Sequence, residues 1–292
     1  MSKRHPVISV TGTFGAGMRN VRIAFQHLMD RLALNALHVE GSSYYRYTRD
    51  EMLPRIEESA RQQGHFGRFS LDANCLDLLE QGLRSYGENG RMLRRHYAET
   101  EADALRHGVP VGQFTPWVSA GEGSDLLFFE GMHGGVRTDD VDVAGQSDLL
   151  IGIVPSVNLE WIEKVHRDTS DRRQSVEDAT RTILRRMPDY INVITPQFSR
   201  TDINFQRIPL VDTSNPFIAR DVPDHEECMI VIRFKDPRAL GVDFRRLQSL
   251  LKNSFMSRYN TIVVPGGKMV FAMELVIQPI LERMVEESRR LR

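Results

Sequence analysis

Short apolar runs punctuate the chain, separated by longer stretches in which apolar residues recur every three or four positions. The runs "PVISV", "ALHVEG", "DLLFFEG", "DLLIGIVP", "YINVITPQF", "CMIVIRF" and "NTIVVPGG" are compact and mostly flanked by Gly, Pro, Asp or Asn, so each is predicted to be a buried strand. Helical periodicity predicts helices over 19–32, 49–62, 71–86, 158–167, 176–186, 244–254 and 268–290. Strands alternating with helices predict an α/β fold with a mostly parallel sheet flanked by helices. The stripe of Met269, Met273, Leu275, Ile280, Leu281 and Met284 along the last helix reads as core or subunit contact.

The stretch 87–123 carries glycine, charge and histidine without a strong period, and is expected to form a long loop or small subdomain. No internal repeat or long linker divides the rest, so residues 1–292 read as one domain. Hydrophobic residues make up 41%, charged ones 26%, and the net charge is -1, which argues against a general nucleic-acid binder. No run approaches the roughly 18 apolar residues of a membrane span, and the chain reads as cytoplasmic. Cys75 and Cys228 are too far apart in sequence for a metal-binding pair, and the histidines, His38 among them, show no ligand spacing. A structural metal is therefore not expected.

The first strand runs into "TGTFGAGMRN", a glycine-rich turn opening a helix. Backbone N–H groups at such a turn, with the helix dipole behind them, suit an anion. Gly12, Gly15, Ala16, Gly17, Met18, Arg19 and Asn20 are the candidate nucleotide-binding residues. Yet Met18 stands where a phosphate-loop lysine belongs, and Arg19 where a hydroxyl would ligate Mg²⁺. A guanidinium there would repel Mg²⁺ by about 4 kcal/mol per unit charge at about 4 Å and an effective dielectric near 20. A plain packing turn is the competing reading of the same glycines.

Several longer lines point to one family. They are "HPVISVTG", "VEGSSYYRYTR", "LLFFEGMHGGV", "IVPSVNLEWIEKVHRDTSDRRQS", "ITPQFSRTDINFQRIPLVDTSNPFIAR" and "VVPGGKMVFAMELVIQPILER". The chain resembles a bacterial phosphoribulokinase, within the P-loop phosphoribulokinase/uridine kinase superfamily. The signature K-[LIVM]-x-R-D-x-x-x-R-G-x-[ST] is met by Lys164, Val165, Arg167, Asp168, Arg172 and Ser175, with Arg173 in place of its glycine. The resemblance implies Mg·ATP-dependent phosphorylation of ribulose 5-phosphate to ribulose 1,5-bisphosphate. Glu130 would bind the metal, Lys164 and Arg167 the transferred phosphoryl group, and Arg31, Arg46, Arg49 and Arg172 the sugar phosphate. Arg185, Arg186, Arg233 and Arg258 would belong to effector and subunit-contact regions of a homo-oligomer, commonly an octamer, activated by NADH and inhibited by AMP.

The resemblance also exposes departures. The family pattern near E-G-D-[AS]-[FY]-H-R has its general base at the aspartate, and here that position is Ser42, with Tyr45 in place of the histidine. Leu53 and Glu99 occupy substrate-side positions where lysine and histidine are expected. A serine hydroxyl has no useful basicity at neutral pH, and general-base assistance is worth about 10²–10⁴-fold. Two function classes follow. One is a kinase that recruits another base, such as Asp168, or takes another sugar phosphate or nucleoside. The other is a non-catalytic sensor or regulatory subunit, acting alone or beside an intact paralogue.

Overall fold

The computed structural model describes residues 4–13, 17–170, 174–219 and 221–292. Gly15, Ala16, Arg172 and Arg173 lie outside the described residues. The elements run β1 (Val7–Gly12), α1 (Met18–Leu32), β2 (Ala36–Glu40), α2 (Arg49–Arg61), α3 (Leu76–Asn89), β3 (Met92–Arg94), α4 (Glu101–His107), β4 (Val118–Ala120), β5 (Leu126–Gly131) and β6 (Leu149–Val154). They continue as α5 (Val157–Ser170), α6 (Val176–Asp189), β7 (Ile203–Pro209), β8 (Cys228–Phe234), α7 (Phe244–Leu250), β9 (Phe255–Arg258), β10 (Thr261–Pro265) and α8 (Met269–Leu291).

An eight-stranded sheet has the order β2-β5-β1-β6-β7-β8-β10-β9. The β2 to β7 side is parallel, and β8, β10 and β9 extend it in antiparallel fashion. Alternation along β1 sends Ile8 and Val10 to one face, where Phe25 and Leu28 of α1 and Met273 and Ile277 of α8 cover them. Val7 points to the other face with Val39, Leu127 and Phe129, under Leu79, Leu83 and Tyr86 of α3. Both faces of the parallel half are thus covered, which is why its strands read as continuous apolar runs.

One predicted strand is not a strand. "YINVITPQF" forms a π-helical turn, Tyr190–Ile194, followed by a 3₁₀ turn, Thr195–Ser199. A short apolar run bounded by Pro cannot be told from a buried helical turn by periodicity, and here Tyr190 and Ile194 are buried four residues apart. The turn delivers Gln197 into the core. Its amide Nε2 donates to the Met132 and Val193 carbonyls, each at 2.9 Å, while its Oε1 accepts from Thr11 Oγ1 at 2.8 Å and Gly135 N at 2.9 Å. The strand in that region is β7, whose "INFQ" alternates buried and half-buried positions. The stretch 87–123 holds the antiparallel pair β3 and β4 and the short helix α4, capped by a reciprocal Thr100 and Asp103 pair. Among the described residues no helix is long and apolar enough to cross a membrane.

Candidate functional site

Strands β1, β2 and β5 end at one edge of the sheet, and a cleft of about 490 Å³ opens there. In open α/β sheets this carboxyl edge is where ligands bind. Gly12, Met18 and Arg19 form one wall, Glu40, Ser42 and Glu130 the floor, and Tyr97, Glu99 and Asp103 the side toward α4. Arg167 reaches in from α5.

The phosphate-loop residues are shaped by contact with the core. A Cβ on Gly12 would lie 2.9 Å from the Ile153 carbonyl oxygen, and Gly17, at φ 104°, caps α1 in the left-handed region that glycine tolerates. Met18 is buried in the core under α1, so its thioether fills space and offers phosphate nothing. Asn20 turns toward α8 and donates to the Met269 sulfur at 3.3 Å. Arg19 is exposed at the cleft wall.

The floor is made by two glycines packed Cα to Cα, since a Cβ on either Gly41 or Gly131 would lie 2.9 Å from the other's Cα. This brings the 3₁₀ turn Gly41–Tyr44, carrying Ser42, against the end of β5, where Glu130 sits. Arg95 pins the turn, donating to the Ser43 carbonyl at 3.0 Å and the Tyr45 carbonyl at 2.6 Å while stacking over Phe114 and Trp117. Tyr45 is buried beneath the Arg68 guanidinium, and burial pushes its phenol well above the ordinary range. It cannot serve as a base.

Glu130 is 4% exposed and has acquired company that sequence reasoning missed. Arg22 of α1 forms an ion pair with Glu130 and another with Glu40 at 3.0 Å, and His38 Nε2 lies 2.9 Å from Glu130 Oε1. Burial alone would raise the Glu130 carboxyl, but the His38 and Arg22 contacts overcome it and hold it below its usual value. Glu130 Oε2 is buried without a hydrogen-bond partner among the described residues. Such an oxygen, with Glu40 beside it, fits a divalent cation. The one trace in the sequence is that His38 and Glu40 are two apart on one strand and so share a face, whereas the approach of Arg22 depends on how α1 folds over the sheet.

On α5, Glu160, Lys164 and Asp168 follow one another at four-residue spacing along one face. Asp168 is 1% exposed and ion-paired with Lys164, with Arg167 Nε 3.6 Å away. Neither Asp168 nor Lys164 is among the residues that line the cleft, and Asp168 lies buried as the ion-pair partner of Lys164. Burial raises the Glu160 carboxyl, opposed by Thr13, Tyr190, Arg167 and Lys164 facing it.

Other candidates fall elsewhere. Arg31 lies late on α1 and pairs with Glu274 at 2.5 Å and Gln278 at 3.1 Å on α8, and it is not among the residues that line the cleft. Arg46 donates to the Asp72 and Asn74 carbonyls, and Arg49 to the Glu99 carbonyl at 2.8 Å, so both buttress the cleft wall. Leu53 is half exposed. The four effector arginines do not converge within one chain. Arg185 donates to the Phe66 carbonyl and Arg186 lies over Phe69, whereas Arg233 and Arg258 line a separate groove of about 770 Å³ with Asn204, Gln206 and Tyr259.

Beside the cleft, His96 and His107 stack at 4.2 Å with an interplanar angle of 9°. Burial, then the charges of His107, Arg94, His38 and Arg106, lowers His96 to about 4 from 6.5. The unfolded chain therefore takes up this proton first. Its contribution to stability is intact above pH 6.5 and is lost as pH falls toward about 4. Chemical denaturation at about pH 7 and about pH 5 is expected to show a smaller acid loss for His96→Asn than for the unmodified chain. Equal losses would contradict this.

The model for the Phosphoribulokinase / Uridine kinase family matches residues 7–214. The chain belongs to that family. It is 50% identical over 291 residues to phosphoribulokinase of Nitrobacter vulgaris, covering 99% of this chain and 100% of the relative. It is 48% identical over 290 residues to phosphoribulokinase 1 of Cereibacter sphaeroides, covering 99% of each. The solved phosphoribulokinase from Rhodobacter spheroides superposes with a TM-score of 0.88 at 44% identity, covering 99% of this chain and 100% of that one. The family and the α/β kinase fold expected from the sequence are thus established.

Proposed function

We propose that this chain binds a nucleotide and a pentose phosphate in the cleft, and that it transfers the phosphoryl group from ATP to ribulose 5-phosphate poorly, working as a ligand-binding, regulatory member of its family. The observation that carries this is Ser42, which stands on the floor beside Glu130 where a kinase of this type needs a carboxylate. Arg167 presents positive charge to a transferred phosphoryl group in the cleft, while Lys164, one turn before it, is paired with Asp168. Glu130 and Glu40 would hold Mg²⁺, which when bound neutralises phosphate charge. Arg19 and Arg22 bring two further cations to the same space, which favours phosphate binding and opposes the metal.

Regulation by an anionic effector such as NADH or AMP fits the groove at Arg233 and Arg258. Its wall includes the exposed edge strand β9, where a second copy of the chain would add to the sheet in a homo-oligomer. Binding is tested by thermal unfolding with ATP, AMP, NADH and ribulose 5-phosphate, each added singly. Saturating nucleotide or pentose phosphate is expected to stabilise the chain by about 2.7 kcal/mol at about 100 times its Kd. A protein stabilised by none of them would end the ligand-binding reading.

A further inference from the structure

The two strands that form the cleft floor carry a donor set that a Mg²⁺ site does not need. Glu40 of β2 lies opposite Glu130 of β5 in the parallel register, and His38, two residues earlier, projects from the same face. The imidazole is held there by stacking on Phe128 at 5.3 Å and 24°. One nitrogen of His38 and one oxygen each of Glu40 and Glu130 lie within 4.8 Å of one another. Independently, Glu130 is only 4% exposed and its Oε2 is buried with no hydrogen-bond partner among the described residues. A buried oxygen of this kind costs stability unless something fills it.

We propose that His38, Glu40 and Glu130 form a nitrogen and oxygen site for a divalent transition metal of the Zn²⁺ class, with Arg22 as a displaceable resident cation. Carboxylates alone would suit Mg²⁺ or Ca²⁺, whereas an added imidazole shifts preference toward Zn²⁺. Three protein ligands leave a coordination position facing the cleft, where a phosphate oxygen or water fits. Arg22 now supplies the compensating positive charge, but its side chain is 56% exposed, so the guanidinium can swing into solvent when the ion arrives. When the ion binds, the contact of His38 Nε2 with Glu130 is replaced by a bond from each to the ion.

The site is the same cleft on which the proposed function rests. Its test omits nucleotide and sugar, so its failure leaves ligand binding untouched. Calorimetric titration of the chelator-stripped full chain with Zn²⁺ is expected to show one equivalent bound per chain, with Mg²⁺ at least about 10-fold weaker. His38→Ala and His38→Gln, both checked for folding by circular dichroism, are expected to weaken Zn²⁺ by about 10-fold or more and leave Mg²⁺ little changed. Arg22→Ala is expected to tighten Zn²⁺, because it removes the competitor. Absence of a one-to-one Zn²⁺ site, or one that neither the His38 nor the Arg22 variants move, would overturn the proposal.

Discussion

The double variant Arg19→Ser, Ser42→Asp is expected to release ADP with Mg·ATP and ribulose 5-phosphate at least about 10²-fold faster than the unmodified chain. The larger part comes from the Ser42→Asp change, since a positioned general base is worth about 10²–10⁴-fold. The turn that would carry the new carboxylate is already fixed by Arg95 and by the Gly41 and Gly131 contact, so it inherits a defined place. Arg22 and His38 lie across the floor and temper its repulsion with Glu130. The Arg19→Ser change removes a guanidinium that opposes the metal and restores a hydroxyl. Met18 is left in place, because it belongs to the core and its replacement by a polar residue would confound activity with stability. Equal rates in both proteins would mean that the base and the metal hydroxyl are not what limits turnover.

Gln197→Ala is expected to destabilise the fold by about 3 kcal/mol or more, from about 1–3 kcal/mol for each buried group left unsatisfied. The side chain is 1% exposed and serves Thr11 of β1, Gly135, and the carbonyls of Met132 and Val193. Removing it strands the Gly135 N–H and the Val193 carbonyl, and leaves the Thr11 hydroxyl and the Met132 carbonyl only their mutual bond at 3.3 Å. Gln197→Met, which keeps the volume, should recover little, which separates lost hydrogen bonds from a lost filling. Urea unfolding checks both, and a loss below about 1 kcal/mol for Gln197→Ala would show that ordered water replaces the amide.

What could be read from the sequence followed burial. Strands β1, β5 and β6 are covered on both faces and announce themselves as apolar runs. The run at Tyr190 is also apolar but closes as a helical turn with Tyr190 and Ile194 buried four residues apart, a spacing that periodicity over so short a run does not separate from a strand. Strand β7 is hidden by its alternation of Asn204, Gln206 and Arg207 with apolar residues, and β9 by its shortness at the sheet edge. At the candidate site, Gly12, Arg19, Ser42, Glu130 and Arg167 are legible from their motifs and line one cleft. Arg31 is assigned to the sugar phosphate only through the family resemblance, and in the fold its guanidinium faces Glu274 and Gln278 of α8. His38, Glu40, Arg22 and Arg95 escape sequence reasoning because their roles depend on strand register and on a helix folding over it, neither of which leaves a local motif.

The most direct measurement is steady-state ADP release by the unmodified chain with saturating Mg·ATP and ribulose 5-phosphate. Binding without efficient transfer predicts a rate indistinguishable from ATP hydrolysis in the absence of the sugar, while thermal unfolding under the same conditions still registers the ligands. Sugar-dependent turnover in the range typical of kinases, about 1–100 s⁻¹, would contradict it and return the chain to its family as an ordinary catalyst.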